Sequence, residues 1–240
     1  MNTKKINCGE KPLMIAHRGA SGLEIENTVA AFVAAGNRSY FGIETDTHVT
    51  ADGKFIIYHD NTTGRLSDID LTVDLTDYDI LRSVKLNDTH GTDVRHDMHP
   101  ANVDEYLSIC RKYEKKAVLE LKNAMPKEKV SELCDMIERS GWLDETIFIS
   151  FHMENLIFVR EKLPSQKIQF LCEKADDVLL EELSAHKMDI DIRHTFVTND
   201  FVEKCHSRGI RVNCWTVDDP ADAEALARCG VDFITSNILE

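Results

Sequence analysis

The chain has 240 residues, 42 acidic against 28 basic, for a net charge of −14. That balance repels nucleic acid and anionic membrane, and no basic patch overrides it locally. The opening residues carry Lys4 and Lys5 with no apolar run behind them, and no later stretch approaches a membrane span, so neither a secretory leader nor stable membrane anchoring is expected.

Seven cysteines without a Cys-x-x-Cys pair suit a reducing compartment, and a cytoplasmic protein is the expectation. The length is close to the ~250 residues of one eight-stranded β/α barrel, so a single domain over residues 1–240 is expected.

Taken in order, short β-branched runs alternate with helical segments. Leu13 to Ala16 reads as a first strand ending at His17-Arg18-Gly19, followed by a helix from Asn27 to Asn37 with Asn27 as its N-cap. A second strand starts at Gly42, turns at Ala51-Asp52-Gly53 and returns through Phe55-Ile56-Ile57 to His59-Asp60. From Asn61 to Pro100 the periodicity fails, turn residues scatter and aspartates outnumber lysines and arginines, which reads as an insertion rather than a second domain. A helix from Val103 and a third strand, Ala117 to Lys122, follow.

Four more strands are legible at Thr146–Phe151, Ile168–Cys172, Arg211–Val217 and Asp232–Ser236, with a weaker one at Asp189–Ile192. Helices are expected between them at 127–139, 154–162, 176–186, 200–208 and 221–228. Eight strands alternating with helices predict a parallel (β/α)8 TIM barrel with a small insertion after strand two. The chain ends at Glu240, too soon for a full helix after the eighth strand. That leaves the N-terminal segment, or a partner subunit of a homo-oligomer, to cover the gap.

In such a barrel, chemistry gathers at the C-terminal ends of the strands. Glu44 and Asp46 are two apart and share one face of their strand, as do Glu120 and Lys122 on theirs. His17, Arg18 and the returning His59 belong to the same mouth. Oxygen-only ligation by Glu44, Asp46 and Glu120 suits Mg²⁺ or Ca²⁺ better than zinc. Arg18 and Lys122 are placed to bind an anion, for which phosphate is the natural candidate.

The runs His17-Arg18-Gly19-Ala20, Glu26-Asn27-Thr28, Glu44-Thr45-Asp46, Asp52-Gly53, His59-Asp60 with Arg65 behind it, Glu120-Leu121-Lys122 and Trp215-Thr216-Val217 resemble the glycerophosphodiester phosphodiesterase family. Their order and spacing match from about Ile15 to Asn237. The resemblance implies a β/α barrel that hydrolyses small glycerophosphodiesters to sn-glycerol 3-phosphate and an alcohol with a divalent cation. It also implies His17 and His59 as the acid–base pair, Glu44, Asp46 and Glu120 as metal ligands, Arg18 and Lys122 as phosphate contacts, and Trp215 as a wall for the glycerol moiety. Ile25 stands where the family usually has proline, Thr63-Gly64-Arg65-Leu66-Ser67 keeps only the arginine of the family's run, and Thr235-Ser236-Asn237-Ile238 lacks the usual proline. These departures bear on substrate preference more than on catalysis.

Competing expectations are plainer. Glu26 is either a carboxylate favoured at a helix start or a site residue. Trp215 has core filling as its alternative. His90, His96 and His99 lie in the acidic segment and read as loop residues rather than a zinc site. His152 and His194 follow the fourth and sixth barrel strands and are candidates for the mouth. Cys134, Cys205 and Cys229 read as inert core. A phospholipase C-like or lysophospholipase D enzyme forming a cyclic phosphate would need an apolar or basic rim, against which the acidic insertion argues. A non-catalytic barrel binding a phosphorylated ligand would lack one of these groups, and none is missing.

Overall fold

The computed structural model describes residues 2–9, 11–87, 94–95 and 97–240, with the backbone alone at residue 94. In chain order the strands are β1 (Leu13–Ala16), β2 (Gly42–Val49), β3 (Phe55–Ile57), β4 (Leu86–Asn87), β5 (Val94–Arg95), β6 (Lys116–Leu121), β7 (Thr146–Ser150), β8 (Lys167–Cys172), β9 (Asp189–Arg193), β10 (Val212–Trp215) and β11 (Phe233–Ser236). The helices are α1 (Val29–Gly36), α2 (Tyr78–Ser83), α3 (Val103–Lys112), α4 (Lys127–Arg139), α5 (Met153–Lys162), α6 (Asp177–Ala185), α7 (Asn199–Ser207) and α8 (Pro220–Cys229).

Among the described residues, eight parallel strands run in the order β1, β2, β6, β7, β8, β9, β10, β11. The ring closes because β1 pairs with β2 on one side and β11 on the other. The chain is thus a (β/α)8 TIM barrel, and β9 is the weak eighth strand of the sequence pattern.

Alternation along the strands divides the core into two. Ile15, Val118, Ile147, Ile149, Leu171 and Phe233 form a cluster inside the barrel. Residues of opposite parity, such as Ile43, Leu119, Phe148 and Ile190, pack beneath the helices in the main core. Capping starts the helices where sequence leads one to look. Asn102 and Glu105 form a reciprocal capping box at α3, and Asp219 accepts from two N–H groups before Pro220 at α8.

The N-cap of α1 is a correction. Thr28, not Asn27, accepts from the Ala31 N–H, and Asn27 sits at φ 58° in the left-handed region. The Asn27 side chain is taken instead by the interior, donating to Asp46 Oδ2 (2.8 Å) and accepting from Thr45 Oγ1 (2.7 Å).

The β2–β3 hairpin positions the mouth. β1 pairs only with the start of β2, at Gly42 and Ile43, whereas β3 pairs with Thr47, His48 and Val49. β3 therefore descends along the part of β2 that overhangs β1. Its exit, fixed by the Tyr58 N–H donating to Asp46 O (3.1 Å), delivers His59 above the end of β1, where His17 begins. Behind the hairpin, α2 and the surrounding turns bury Leu66, Val73, Leu81, Val84 and Leu86 against Ile56 and Tyr58.

At the other end of the chain, Lys4 bridges to Leu239 and the Thr3 hydroxyl donates to Glu240 Oε1 (2.6 Å), while Ile6 joins the core. The N-terminal segment thus packs beside the residues that follow β11. No described helix is long and apolar enough to cross a membrane.

Candidate active site

His17, Arg18, Glu44, His59, Glu120 and Trp215 line one pocket at the C-terminal ends of the strands. Lys122 opens onto a groove beside it, shared with His59, Glu120, Phe151 and His152. Asp46 lies at the base, 1% exposed. His194 instead packs its ring against the Trp215 backbone, Nδ1 lying 3.1 Å from the carbonyl oxygen.

The turn after β1 is built for close approach. Arg18 and Gly19 both adopt positive φ, at 54° and 78°. A Cβ on Gly19 would come within 2.6 Å of the Ala31 backbone, so only glycine fits. The Arg18 N–H is thereby aimed at Glu44 Oε2 (2.7 Å).

Glu44, Asp46 and Glu120 each offer an oxygen within 4.8 Å of the others. Burial pushes the Glu44 carboxyl well above its ordinary value, reinforced by the charges of Asp46 and Glu120. Burial and then Asp46 push Glu120 up to about 8, against the pull of Lys122. For Asp46 burial also acts upward, but Lys122 and Arg18 outweigh it and hold its carboxyl below the usual range. Lys122 Nζ lies 3.0 Å from Glu120 Oε1 and 3.5 Å from Asp46 Oδ1.

Three buried carboxylates, two of them pushed above the ordinary range, with no sulfur or imidazole among them, fit a hard divalent cation. No other such cluster occurs among the described residues. His90 and His96 lie outside the described residues, and His99 is half-buried beside Arg82 and Glu105.

The histidines are oriented by different partners. Asn237 donates through Nδ2 to Asp218 (2.6 Å), which turns its Oδ1 toward His17 Nδ1 (2.7 Å). An amide oxygen only accepts, so the proton sits on His17 Nδ1 and Nε2 is left with its lone pair. Burial, then the neighbouring Arg18, lower His17 to about 4, so the ring is neutral at pH 7.

His59 Nδ1 instead meets a carboxylate, Asp60 Oδ1, at 2.6 Å. Asp60 accepts in turn from Arg65 Nε (2.5 Å), Arg65 forks onto Glu26, and Glu26 accepts from Arg18 (2.8 Å). Glu26 therefore bridges Arg18 and Arg65 and lies outside the first turn of α1. Burial lowers His59 as well, with Asp46 and Asp60 opposing and Arg18 and Lys122 reinforcing the shift.

Several site residues escape sequence reasoning. Asp60 is legible beside His59, but Asn237, held by Asp218, becomes the partner of His17 only through the barrel's closure. Asp191 on β9 also lines the pocket, fully buried. Its signal was present, since Asp189-Ile190-Asp191-Ile192 alternates as Glu44-Thr45-Asp46 does.

The model of the glycerophosphoryl diester phosphodiesterase family matches residues 17–239. The chain belongs to that family, a family of phosphoric diester hydrolases. It is 28% identical to a glycerophosphodiester phosphodiesterase of Caldanaerobacter subterraneus, covering 95% of this chain and 94% of the relative. A glycerophosphodiester phosphodiesterase of Bacillus subtilis is 24% identical over 95% of this chain and 84% of its own length. The fold is shared with a phosphodiesterase of Oleispira antarctica solved in complex with its product sn-glycerol-3-phosphate, at a TM-score of 0.87 and 24% identity over 95% of this chain and 94% of that one.

Proposed function

We propose that the chain hydrolyses glycerophosphodiesters to sn-glycerol 3-phosphate and an alcohol, with Mg²⁺ or Ca²⁺ held by Glu44, Asp46 and Glu120, and His17 and His59 as general base and acid. One observation carries the reading: two histidines with committed Nδ1 atoms share a pocket with a buried three-carboxylate cluster. The relatives' names and the product in the Oleispira structure support the same chemistry.

When bound, the cation polarises a phosphoryl oxygen and offsets the charge that builds there. Arg18 and Lys122 hold the remaining phosphate oxygens by charge-assisted hydrogen bonds. Trp215 walls the glycerol moiety. His17 is neutral with Nε2 free, so it takes the proton of the attacking oxygen, from water or from the substrate's own 2-hydroxyl. His59 gives a proton to the departing alcohol. Asp60 stabilises its imidazolium, and a phosphate anion nearby raises its proton affinity further.

Phosphorus-31 NMR of glycerophosphoethanolamine incubated with protein and Mg²⁺ tests the reading. The expected product is sn-glycerol 3-phosphate, and EDTA abolishes it. Phosphoethanolamine as the product would place cleavage on the wrong side of phosphorus, and turnover unaffected by EDTA would remove the metal role.

A further inference from the structure

The far wall of the pocket contains a polar group that neither the proposed mechanism nor the fold employs. In the closed ring β9 lies four strands from β2, directly across the barrel from Glu44 and Asp46. Asp191 sits mid-strand on β9, 1% exposed, and lines the pocket with Ile149, Leu171, Trp215 and Thr235.

Its Oδ1 is buried and has no hydrogen-bond partner. The neighbouring polar groups are engaged elsewhere: Asn213, its register partner on β10, donates to Gln169 Oε1 (3.1 Å) and accepts from the Thr235 hydroxyl (3.2 Å). The Trp215 indole N–H donates to the Asp191 backbone oxygen (3.1 Å), which pins the aromatic wall beside it without touching the carboxyl.

A buried acceptor left open on the side of the pocket that also carries Ile149, Leu171 and Trp215 costs stability unless a ligand completes it. A phosphodiester held at Arg18 and Lys122 would direct one arm across the mouth toward β9. If that arm is glycerol, it carries hydroxyls that apolar walls cannot satisfy. We propose that Asp191 is the specificity residue of this site, accepting a hydrogen bond from a free hydroxyl of the glycerol moiety. The proposal rests on the functional reading above.

Burial and then the charge of Glu120 push the Asp191 carboxyl well above the usual carboxylate range. The proposal does not depend on its protonation, because Oδ1 accepts from a hydroxyl in either state.

The test is titration calorimetry of the Mg²⁺-loaded protein with sn-glycerol 3-phosphate and with n-propyl phosphate, which keeps the phosphate and lacks both hydroxyls. Wild type is expected to prefer the glycerol ester by roughly 10- to 100-fold, the range of one well-made hydrogen bond to a buried polar group. Asp191→Leu should lose that preference while keeping its affinity for propyl phosphate, with an unchanged or higher Tm because an unpaired buried carboxyl has been removed. Asp191→Asn, which retains an acceptor, should keep most of the preference.

Equal binding of the two esters by wild type overturns the inference without any variant. So does full preference in a folded Asp191→Leu protein, or equal loss of both ligands. Turnover is a separate readout: a wild type that discriminates between the esters but does not cleave glycerophosphoethanolamine would sink the proposed reaction while leaving the hydroxyl contact standing.

Discussion

The proton on His17 is fixed by one amide. Asn237 accepts from His17 Nδ1 because Asp218 holds its other end, and this bond also raises the proton affinity of a ring that burial otherwise depresses. Asn237→Ala should therefore free the tautomer and lower kcat by about 10- to 100-fold. An NMR titration of the His17 ring should show its midpoint moved further down from about 4. An unchanged midpoint would mean that the amide does not control the ring.

Glu120 gives a prediction of opposite sign. Its folded carboxyl titrates at about 8 against an ordinary 4.5, because of burial first and Asp46 second. Between those values the folded state holds a proton that the unfolded chain does not. That contribution to the stability of the metal-free protein is complete below 4.5 and is lost as pH rises through about 8. A bound cation displaces the proton, so the Tm gained on adding Mg²⁺ should be larger near pH 8.5 than near pH 6.5. A gain independent of pH would contradict a Glu120 carboxyl that keeps its proton in the metal-free protein.

At the scale of elements, the hairpin and the insertion behave as one support. Ile56 of β3 and Tyr58 after it pack on Leu81 of α2 and Val73, so the backbone that carries His59 rests on a small satellite core. Leu81→Ala should cost about 2–4 kcal/mol in a denaturant titration, the usual range for a buried leucine truncation. It should also reduce kcat while leaving Mg²⁺ affinity nearly intact, since the carboxylates stand on β2 and β6.

Much of the barrel was legible because buried parallel strands repeat with period two and their helices carry caps and apolar stripes. The carboxylate pair 44 and 46 and the pair 120 and 122 followed from that parity alone. What escaped depends on tertiary contacts. Asn27 looks like an N-cap locally, but the burial of Asp46 creates a stronger demand for its amide, and the cap passes to Thr28. The two-residue strands β4 and β5 are too short to show a period. Asn237 meets His17 only because β11 closes on β1.

On the scale of the whole molecule, a charge of −14 confronts an anionic substrate. Under the proposed function, attraction would be confined to Arg18, Lys122 and a bound cation at the mouth, while the long-range field repels. Raising ionic strength from about 20 to 200 mM should screen the repulsion more than these short contacts, so kcat/KM should hold or rise modestly. A steep fall would point to a basic approach path that the sequence does not contain. If the proposed metal role holds, chelation should raise KM as well as lower kcat, because a cation at Glu44, Asp46 and Glu120 would both bind the phosphate and offset three carboxylates.

The most direct test of the account is kcat for glycerophosphocholine at saturating Mg²⁺, measured for wild type, His17→Ala and His59→Ala with their Tm values. The account predicts that each variant loses about 10²- to 10⁴-fold in kcat, the usual worth of a general acid or base, while staying folded and binding Mg²⁺ as wild type does. A folded, metal-loaded His17→Ala protein turning over within about threefold of wild type would contradict it, since no acid–base role is worth so little.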